Sequence, residues 1–347
     1  MKNLVSIIIP VFNRATLLAE TLDSVLAQSF TQWECLVVDD GSTDGTDLLV
    51  RTICEKDSRF CYIQRPQDRQ KGASTCRNIG LELAKGTYIL FFDSDDVLPP
   101  DVLASRMQVV LAQPEYDFYV FQTARFYHPN KDPDAIWNDL RKPNSHDLAD
   151  FLSVNPVWHT SGPIWRKDFL VHNGLHFTEG VRSWQDWEFH IRVLLHNPNY
   201  LKLDTRETMV LQRFHEEAAI HKLNSSEDQQ NRIHLFFLLI EAFKVHQKFD
   251  GLDVQKHFFK LFYFVIQQMA FSDLDPVVWQ RIREELYLVP KLDMAFWKVY
   301  VHFNARYTGA GKYRLYGLLK RIKHGVFSKR FAVDDFSGRT WYTLKLN

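Results

Sequence analysis

Val5-Ser6-Ile7-Ile8-Ile9-Pro10-Val11-Phe12-Asn13-Arg14 carries a short apolar run straight into polar residues. From Val5 to Pro10 the run is rich in β-branched side chains, the signature of a strand buried within a parallel sheet. Next comes Ala15 to Gln28, where Leu18, Leu22, Val25 and Leu26 recur at helical spacing. The alternation then repeats. Strands are expected at Cys35–Val38, Phe60–Ile63 and Tyr88–Phe92, with helices at Thr46–Cys54 and Ser74–Ala84 between them. Pro100 is placed to open a further helix. Strands and helices in strict succession predict an α/β fold, a mostly parallel sheet flanked by helices.

The pattern breaks near Tyr116. Asp117–Tyr127 reads as one more strand, followed by a polar, Pro-containing stretch to His146. Tryptophans and histidines crowd Trp158–His190. Beyond Ser225 only helical stripes remain, such as Ile233, Phe236, Phe237 and Ile240. The expected organisation is an α/β domain over residues 1–224 and a helical C-terminal region over 225–347.

Composition narrows the function classes. With 42 basic and 42 acidic residues, the 347-residue chain has no net charge to favour a nucleic-acid partner. Its four cysteines form no CxxC, so zinc is not indicated, and they read as small core side chains in a reducing compartment. The first apolar run is too short for a secretory signal and no run approaches a bilayer span, so a cytoplasmic location is expected. No GxGxxG follows the first strand, which disfavours a dinucleotide-dependent dehydrogenase. Gly309-Ala310-Gly311-Lys312 lacks the first glycine and the Ser/Thr of a P-loop.

Ligands of such sheets bind beyond the carboxyl ends of the strands, and polar clusters stand there. Strand four runs into Asp93-Ser94-Asp95-Asp96. In extended chain Asp93 and Asp95 point to one side, an arrangement that suits a divalent cation shared with substrate phosphates. Acidic residues ahead of a helix give the same pattern without a metal. Asp39-Asp40-Gly41-Ser42-Thr43-Asp44 is open to two readings, a turn with a helix cap or a carboxylate that accepts the imide N–H of uracil.

Taken together, these clusters resemble glycosyltransferase family 2. The motifs are Ser6–Asn13, Val38–Asp44, Arg77-Asn78-Ile79-Gly80, Ala84–Ile89 and Phe92–Asp96, in the family's order and spacing. The resemblance implies a GT-A fold, a nucleotide-sugar donor (a UDP-sugar being commonest), Mn2+ or Mg2+, and an inverting single displacement onto a glycan or lipid-linked acceptor. It assigns Phe12, Asn13, Asp40, Arg77, Asp93 and Ser94 to the nucleotide, Asp95 to the metal, and His215 to the metal or diphosphate. Asp186 in Trp184-Gln185-Asp186-Trp187-Glu188 matches the carboxylate that takes the acceptor's proton, although Gln185 stands where the family usually has an acid. Glu188 is the reserve candidate. Trp158 and Trp184 are expected on the acceptor side, where indole faces suit a sugar ring. Two alternatives stay open: a non-catalytic nucleotide-sugar-binding protein and a nucleotidyltransferase.

Between Met294 and Val333 stand nine Lys or Arg and no Asp or Glu, with Leu315, Leu318, Leu319, Ile322 and Val326 at helical spacing. Such a segment suits either peripheral contact with an anionic membrane or packing on preceding helices.

Overall fold

The computed structural model describes residues 3–127, 133–181, 183–214, 226–266, 275–289 and 342–343. They fall into two compact units. The first takes in Met1–Asp147, Pro156–Lys222 and Thr340–Asn347, and the second Leu148–Asn155 and Leu223–Arg339.

In the first unit, strands β1 (Val5–Val11), β2 (Trp33–Asp39), β3 (Phe60–Gln64) and β4 (Tyr88–Phe91) alternate with helices α1 (Ala15–Leu26), α2 (Thr46–Lys56), α3 (Ala73–Leu83) and α4 (Val102–Ala112). The chain continues through β5 (Phe118–Phe121), β6 (Thr123–Phe126), β7 (Ala135–Ile136), α5 (Asp147–Leu152, which from Leu148 belongs to the second unit), β8 (Pro163–Arg166), α6 (Lys167–His172), α7 (Gln185–Leu195), β9 (Tyr200–Leu203) and β10 (Val210–Arg213). A two-residue strand, β11 (Tyr342–Thr343), pairs antiparallel with β7.

The main sheet has seven strands in the order β3-β2-β1-β4-β8-β5-β9. β1 to β4 are parallel, and β8 runs antiparallel to both β4 and β5. Every residue of β1 is buried, as its unbroken apolar pattern requires. A smaller sheet, β10-β6-β7-β11, stands apart from it. The single strand expected at Asp117–Tyr127 is therefore two strands in two sheets. The break falls at Gln122, a buried polar residue whose amide donates to Asn138 O at 2.8 Å and whose carbonyl accepts from Thr123 N at 3.0 Å. Pairing its amide with side-chain and loop partners lets the chain leave one sheet for the other. Pro100 does not open a helix. α4 starts at Val102, behind Asp101 in the left-handed region at φ +65°.

Gly80 controls the approach of α3 to the sheet. A Cβ there would sit 2.3 Å from Ile8 Cγ2, so only glycine allows the helix to lie this close to β1. The cysteines are less uniform than expected. Cys35 and Cys76 are buried, Cys54 is half-buried, and Cys61 is exposed.

In the second unit, α8 (Ser226–Val245), α9 (Leu252–Ile266) and α10 (Pro276–Glu285) are described. Phe236, Phe243, Phe258 and Phe262 pack edge-on or tilted, with Trp279 against Phe262 at 5.4 Å. Asp275 caps α10 by accepting from Val277 N at 2.9 Å, with Pro276 in the first turn, where its missing N–H costs nothing. The basic segment singled out between Met294 and Val333 lies outside the described residues. No helix among the described residues is long and apolar enough to cross a membrane.

Candidate functional site

The carboxyl ends of β1, β2 and β4 deliver three loops to one edge of the sheet. Asn13 fastens the first two together. Its backbone N–H donates to Ser42 Oγ at 2.9 Å and its side-chain oxygen accepts from Thr43 N at 2.8 Å. Its φ of +50° is one that asparagine tolerates better than most residues. Asn13 thus shapes the loop. Phe12 beside it is 41% exposed, with the Lys71 ammonium 3.6 Å from the ring centroid.

The two aspartates at the end of β2 have different tasks. Asp39 Oδ1 accepts from Gly41 N, Ser42 N and Ser42 Oγ, and Oδ2 from the Tyr62 hydroxyl at 2.7 Å. Its carboxylate builds the turn. Asp40 forms an ion pair with Arg65 through Oδ1, and its other oxygen accepts no hydrogen bond among the described residues.

α3 brings Arg77 to the end of β4. The guanidinium is 5% exposed and donates to Asp93 Oδ1 at 2.7 Å. Its Nε and Nη1 are buried and meet no hydrogen-bond acceptor among the described residues. The neighbouring Asn78 accepts from Phe177 N at 2.8 Å and donates to Phe177 O at 2.9 Å, which anchors the segment leading to α7.

After Phe92 the chain turns, with Asp96 N bonded to Asp93 O at 3.2 Å. The period-two argument for Asp93 and Asp95 therefore does not apply, since β4 ends at Phe91. The turn brings together residues three apart instead. Ligand atoms of Asp93, Asp96 and His159 all lie within 4.8 Å of one another, a trio that omits Asp95. His159 Nε2 is 3.6 Å from Asp93 Oδ2, and His159 Nδ1 is 3.8 Å from Asp96 Oδ2. Ser94, half-buried in the same turn, accepts from Thr21 Oγ1 through its backbone carbonyl at 3.1 Å. Burial first, and then the charges of Asp93 and Asp95, hold the Asp96 pKa well above the usual carboxylate range. A divalent cation among these groups would relieve that repulsion. Two carboxylates and an imidazole are a donor set that suits Mn2+, and the carboxylates serve Mg2+ as well. The residues fit such an ion. His215 lies outside the described residues.

The segment His159-Thr160-Ser161 was not singled out from the sequence. Ser161 Oγ donates to Asp96 Oδ2 at 3.0 Å, Ser161 N donates to His159 Nδ1 at 3.3 Å, and Thr160 Oγ1 donates to Asp186 Oδ2 at 3.4 Å. Three consecutive residues thus connect the acidic turn to the start of α7. Gly162 closes this tight turn, where a Cβ would stand 3.0 Å from Phe121 O. The signal that was available is a polar run, His-Thr-Ser-Gly, between Trp158 and the buried strand β8.

At α7, Asp186 is half-buried, and its Oδ1 accepts from Trp187 N at 2.8 Å. Trp184 precedes the helix at φ +64°, a strained conformation for a bulky side chain that is found at functional segments. It is half-buried, edge-on to buried Trp187 at 5.2 Å. Two acceptor-side assignments are corrected. Glu188 is 1% exposed and spends its carboxylate on Arg192 and on Thr178 Oγ1, so it has no access to a substrate. Trp158 is 2% exposed, packed against Phe118, His190 and Tyr200, and has no face left for a sugar. Both errors arise because neighbouring elements, invisible in a local pattern, cover these side chains. His190, on the same helix, is kept neutral by burial, its pKa pulled down to about 3.

Residues 6–167 match the sequence model of glycosyl transferase family 2. A 127-residue stretch, 37% of this chain, is 36% identical to an uncharacterized glycosyltransferase of Rickettsia felis, and this chain spans 20% of that relative's length. Among solved structures, S. aureus TarS 1–349 in complex with UDP-GlcNAc superposes with a TM-score of 0.62 over 99% of both chains at 18% identity. The mannosyltransferase PcManGT from Pyrobaculum calidifontis, in complex with GDP-Man and Mn2+, superposes with a TM-score of 0.51 over 97% of this chain and 85% of its own, also at 18% identity. At such identities the likeness is one of fold, and that fold is GT-A.

Proposed function

We propose that this chain, whose residues 6–167 match the model of glycosyl transferase family 2, is a member of that family and transfers a sugar from a UDP-sugar to a glycan or lipid-linked acceptor, by inverting single displacement with a divalent cation. The observation that carries this reading is the segment His159-Thr160-Ser161, which hydrogen-bonds to Asp96 through Ser161 and to Asp186 through Thr160, with His159 Nε2 3.6 Å from Asp93. It joins a group of carboxylates suited to a cation with a separate, half-buried carboxylate suited to a proton.

In this reading the uracil stacks on Phe12 and its imide N–H donates to the free oxygen of Asp40. Arg77 and Asp93 adjoin the ribose and phosphates. Asp93, Asp96 and His159 would hold Mn2+ or Mg2+, with Asp95 in the same turn. When bound, the ion neutralises charge that gathers on the departing diphosphate. Asp186 accepts the proton of the acceptor hydroxyl as that oxygen attacks the anomeric carbon from the face opposite the diphosphate. The Thr160 hydroxyl and the Trp187 amide fix the carboxylate for that task.

Thermal melting of the purified chain with UDP, GDP, CDP or dTDP, each with and without Mn2+, tests the donor side. Ligands that bind only the folded state raise the melting temperature by mass action. The expected result is a rise with UDP that requires Mn2+. An equal response to all four nucleotides, or none that depends on metal, overturns the reading.

A further inference from the structure

Arg106 lies on the wrong face of its helix for a cation. The buried positions of α4 are Val102, Leu103, Arg106, Met107 and Val110, one apolar stripe with a single charge inside it. The side chain is 0% exposed, and no carboxylate among the described residues pairs with it. Burying a guanidinium without a counter-charge costs far more than burying a leucine or methionine of similar size. Burial alone pulls its pKa down to about 9. A requirement other than core packing must retain it.

Its partners supply that requirement. Nε donates to Thr208 O at 2.8 Å, Nη1 donates to Ser161 O at 3.0 Å, and the guanidinium lies 4.8 Å from the centroid of Phe121. The two carbonyls belong to two segments that meet again at Asp96. Ser161 donates through its hydroxyl to Asp96 Oδ2. Thr208 leads into β10, whose Leu211 bridges to Val97 and whose Arg213 N donates to Asp96 Oδ1 at 3.3 Å. One planar fork thus fastens both strands of support for the two oxygens of a single carboxylate.

We propose that Arg106 is a positioning residue for the candidate cation site: by holding the Ser161 and Thr208 carbonyls it fixes the orientation of Asp96 toward Asp93 and His159. The proposal rests on the reading of that trio as a cation site. A lysine would keep the charge but lose the fork, since one ammonium does not reproduce two in-plane donors. A methionine would fill the space and lose both.

Mn2+ binding to the full chain, followed by the electron paramagnetic resonance of free Mn2+ without nucleotide or acceptor, tests this directly. The proteins are wild type, Arg106→Met, Arg106→Lys and Val110→Ala, with melting temperature measured on each. Val110 is buried on the same stripe and donates no side-chain bond, so its truncation controls for a loosened helix. Loss of an outer partner of a metal ligand typically weakens affinity about 10–100-fold; Arg106 acts one bond further out, so a loss near the lower end, about tenfold, is expected for both Arg106 variants, with Val110→Ala near wild type. If Arg106→Met does not fold, Arg106→Lys carries the comparison. Arg106 variants that bind Mn2+ as tightly as wild type overturn the proposal and leave the cation reading standing. So does a Val110→Ala loss that follows melting temperature as the Arg106 losses do. A wild-type chain with no Mn2+ affinity overturns the cation reading and this proposal with it.

Discussion

Two turns in this protein place adjacent aspartates at the carboxyl end of a parallel strand, and they use them in opposite ways. At the end of β2, Asp39 accepts four hydrogen bonds from its own turn and from Tyr62, and Asp40 is balanced by Arg65. After β4, Asp93, Asp95 and Asp96 crowd together with Arg77 on Asp93, Arg213 on the Asp95 carbonyl and a histidine between two of the carboxylates. The first turn is electrostatically closed. In the second, burial and the charges of Asp93 and Asp95 make the ionised form of Asp96 costly. A fold that retains such a cost at a strand end has a site there, whereas satisfied carboxylates at the same kind of position are architecture.

Asp186 is the sharpest test of how the second region divides its labour. If the crowded turn serves a cation and Asp186 takes a proton, Asp186→Asn should keep the shape of the site and lose the base. Transfer should fall by about 10²–10⁴-fold, the usual contribution of a general base, with UDP and Mn2+ affinity unchanged. Steady-state transfer and calorimetric binding on the same protein check both halves. Retained transfer would remove Asp186 from the chemistry.

Asp96→Asn separates function from stability. Asparagine can keep the bond from Arg213 N on its oxygen and turn its amide to the Ser161 hydroxyl, which accepts as readily as it donates. The variant removes one of several repelling charges, so its melting temperature should equal or exceed that of wild type. Its Mn2+ affinity should fall by more than the roughly 100-fold limit seen for outer partners. A lowered melting temperature with intact Mn2+ binding would make this turn architecture too, and the comparison would collapse.

The legible part of the molecule follows the same division. β1 to β4 and their helices were readable because each is a continuous buried run or an apolar stripe, a pattern that local sequence carries in full. Arg77 and the acidic turn came with them. In the other half of the sheet β5 was legible only as part of one longer strand at Asp117–Tyr127, and β8 and β9, of four residues each, are too short to show a period. His159, Thr160 and Ser161 have meaning only through Asp96 and Asp186, which lie 65 and 26 residues from their partners in sequence. Glu188 and Trp158 looked available because nothing local reveals Arg192 turning back on the same helix, or Tyr200 closing over the indole. Arg106 did leave a trace, as the one charge in an apolar stripe.

Within the first turn the comparison predicts a split between neighbours. Asp39→Ala strands several donors at a nearly fully buried position and should cost about 3 kcal/mol of stability, read by urea denaturation. Asp40→Ala leaves the turn intact and should cost UDP affinity, about tenfold for one bond to a charged acceptor. The reverse pattern would mean that Asp40, not Asp39, holds the loop.

The smallest effect concerns the wall behind Asp186. His190 stacks on Trp165 with ring centroids 5.9 Å apart, and burial holds its pKa near 3. Asp186 opposes that shift, while His159 and Arg77 add to it. Between its ordinary value of 6.5 and about 3, the unfolded chain binds a proton here that the folded chain does not. Unfolding is therefore favoured as pH falls through that window, by up to about 1.4 kcal/mol per pH unit from this group, and the full stability is present above 6.5. His190→Phe fits an aromatic wall and removes the titrating group. Its urea midpoint should match wild type at pH 7.5 and decline less steeply between pH 6.5 and 5. An unchanged slope would mean that His190 takes up its proton as easily folded as unfolded. The wall behind Asp186 would then be open to water, and the carboxylate would sit in a more polar setting than its burial implies.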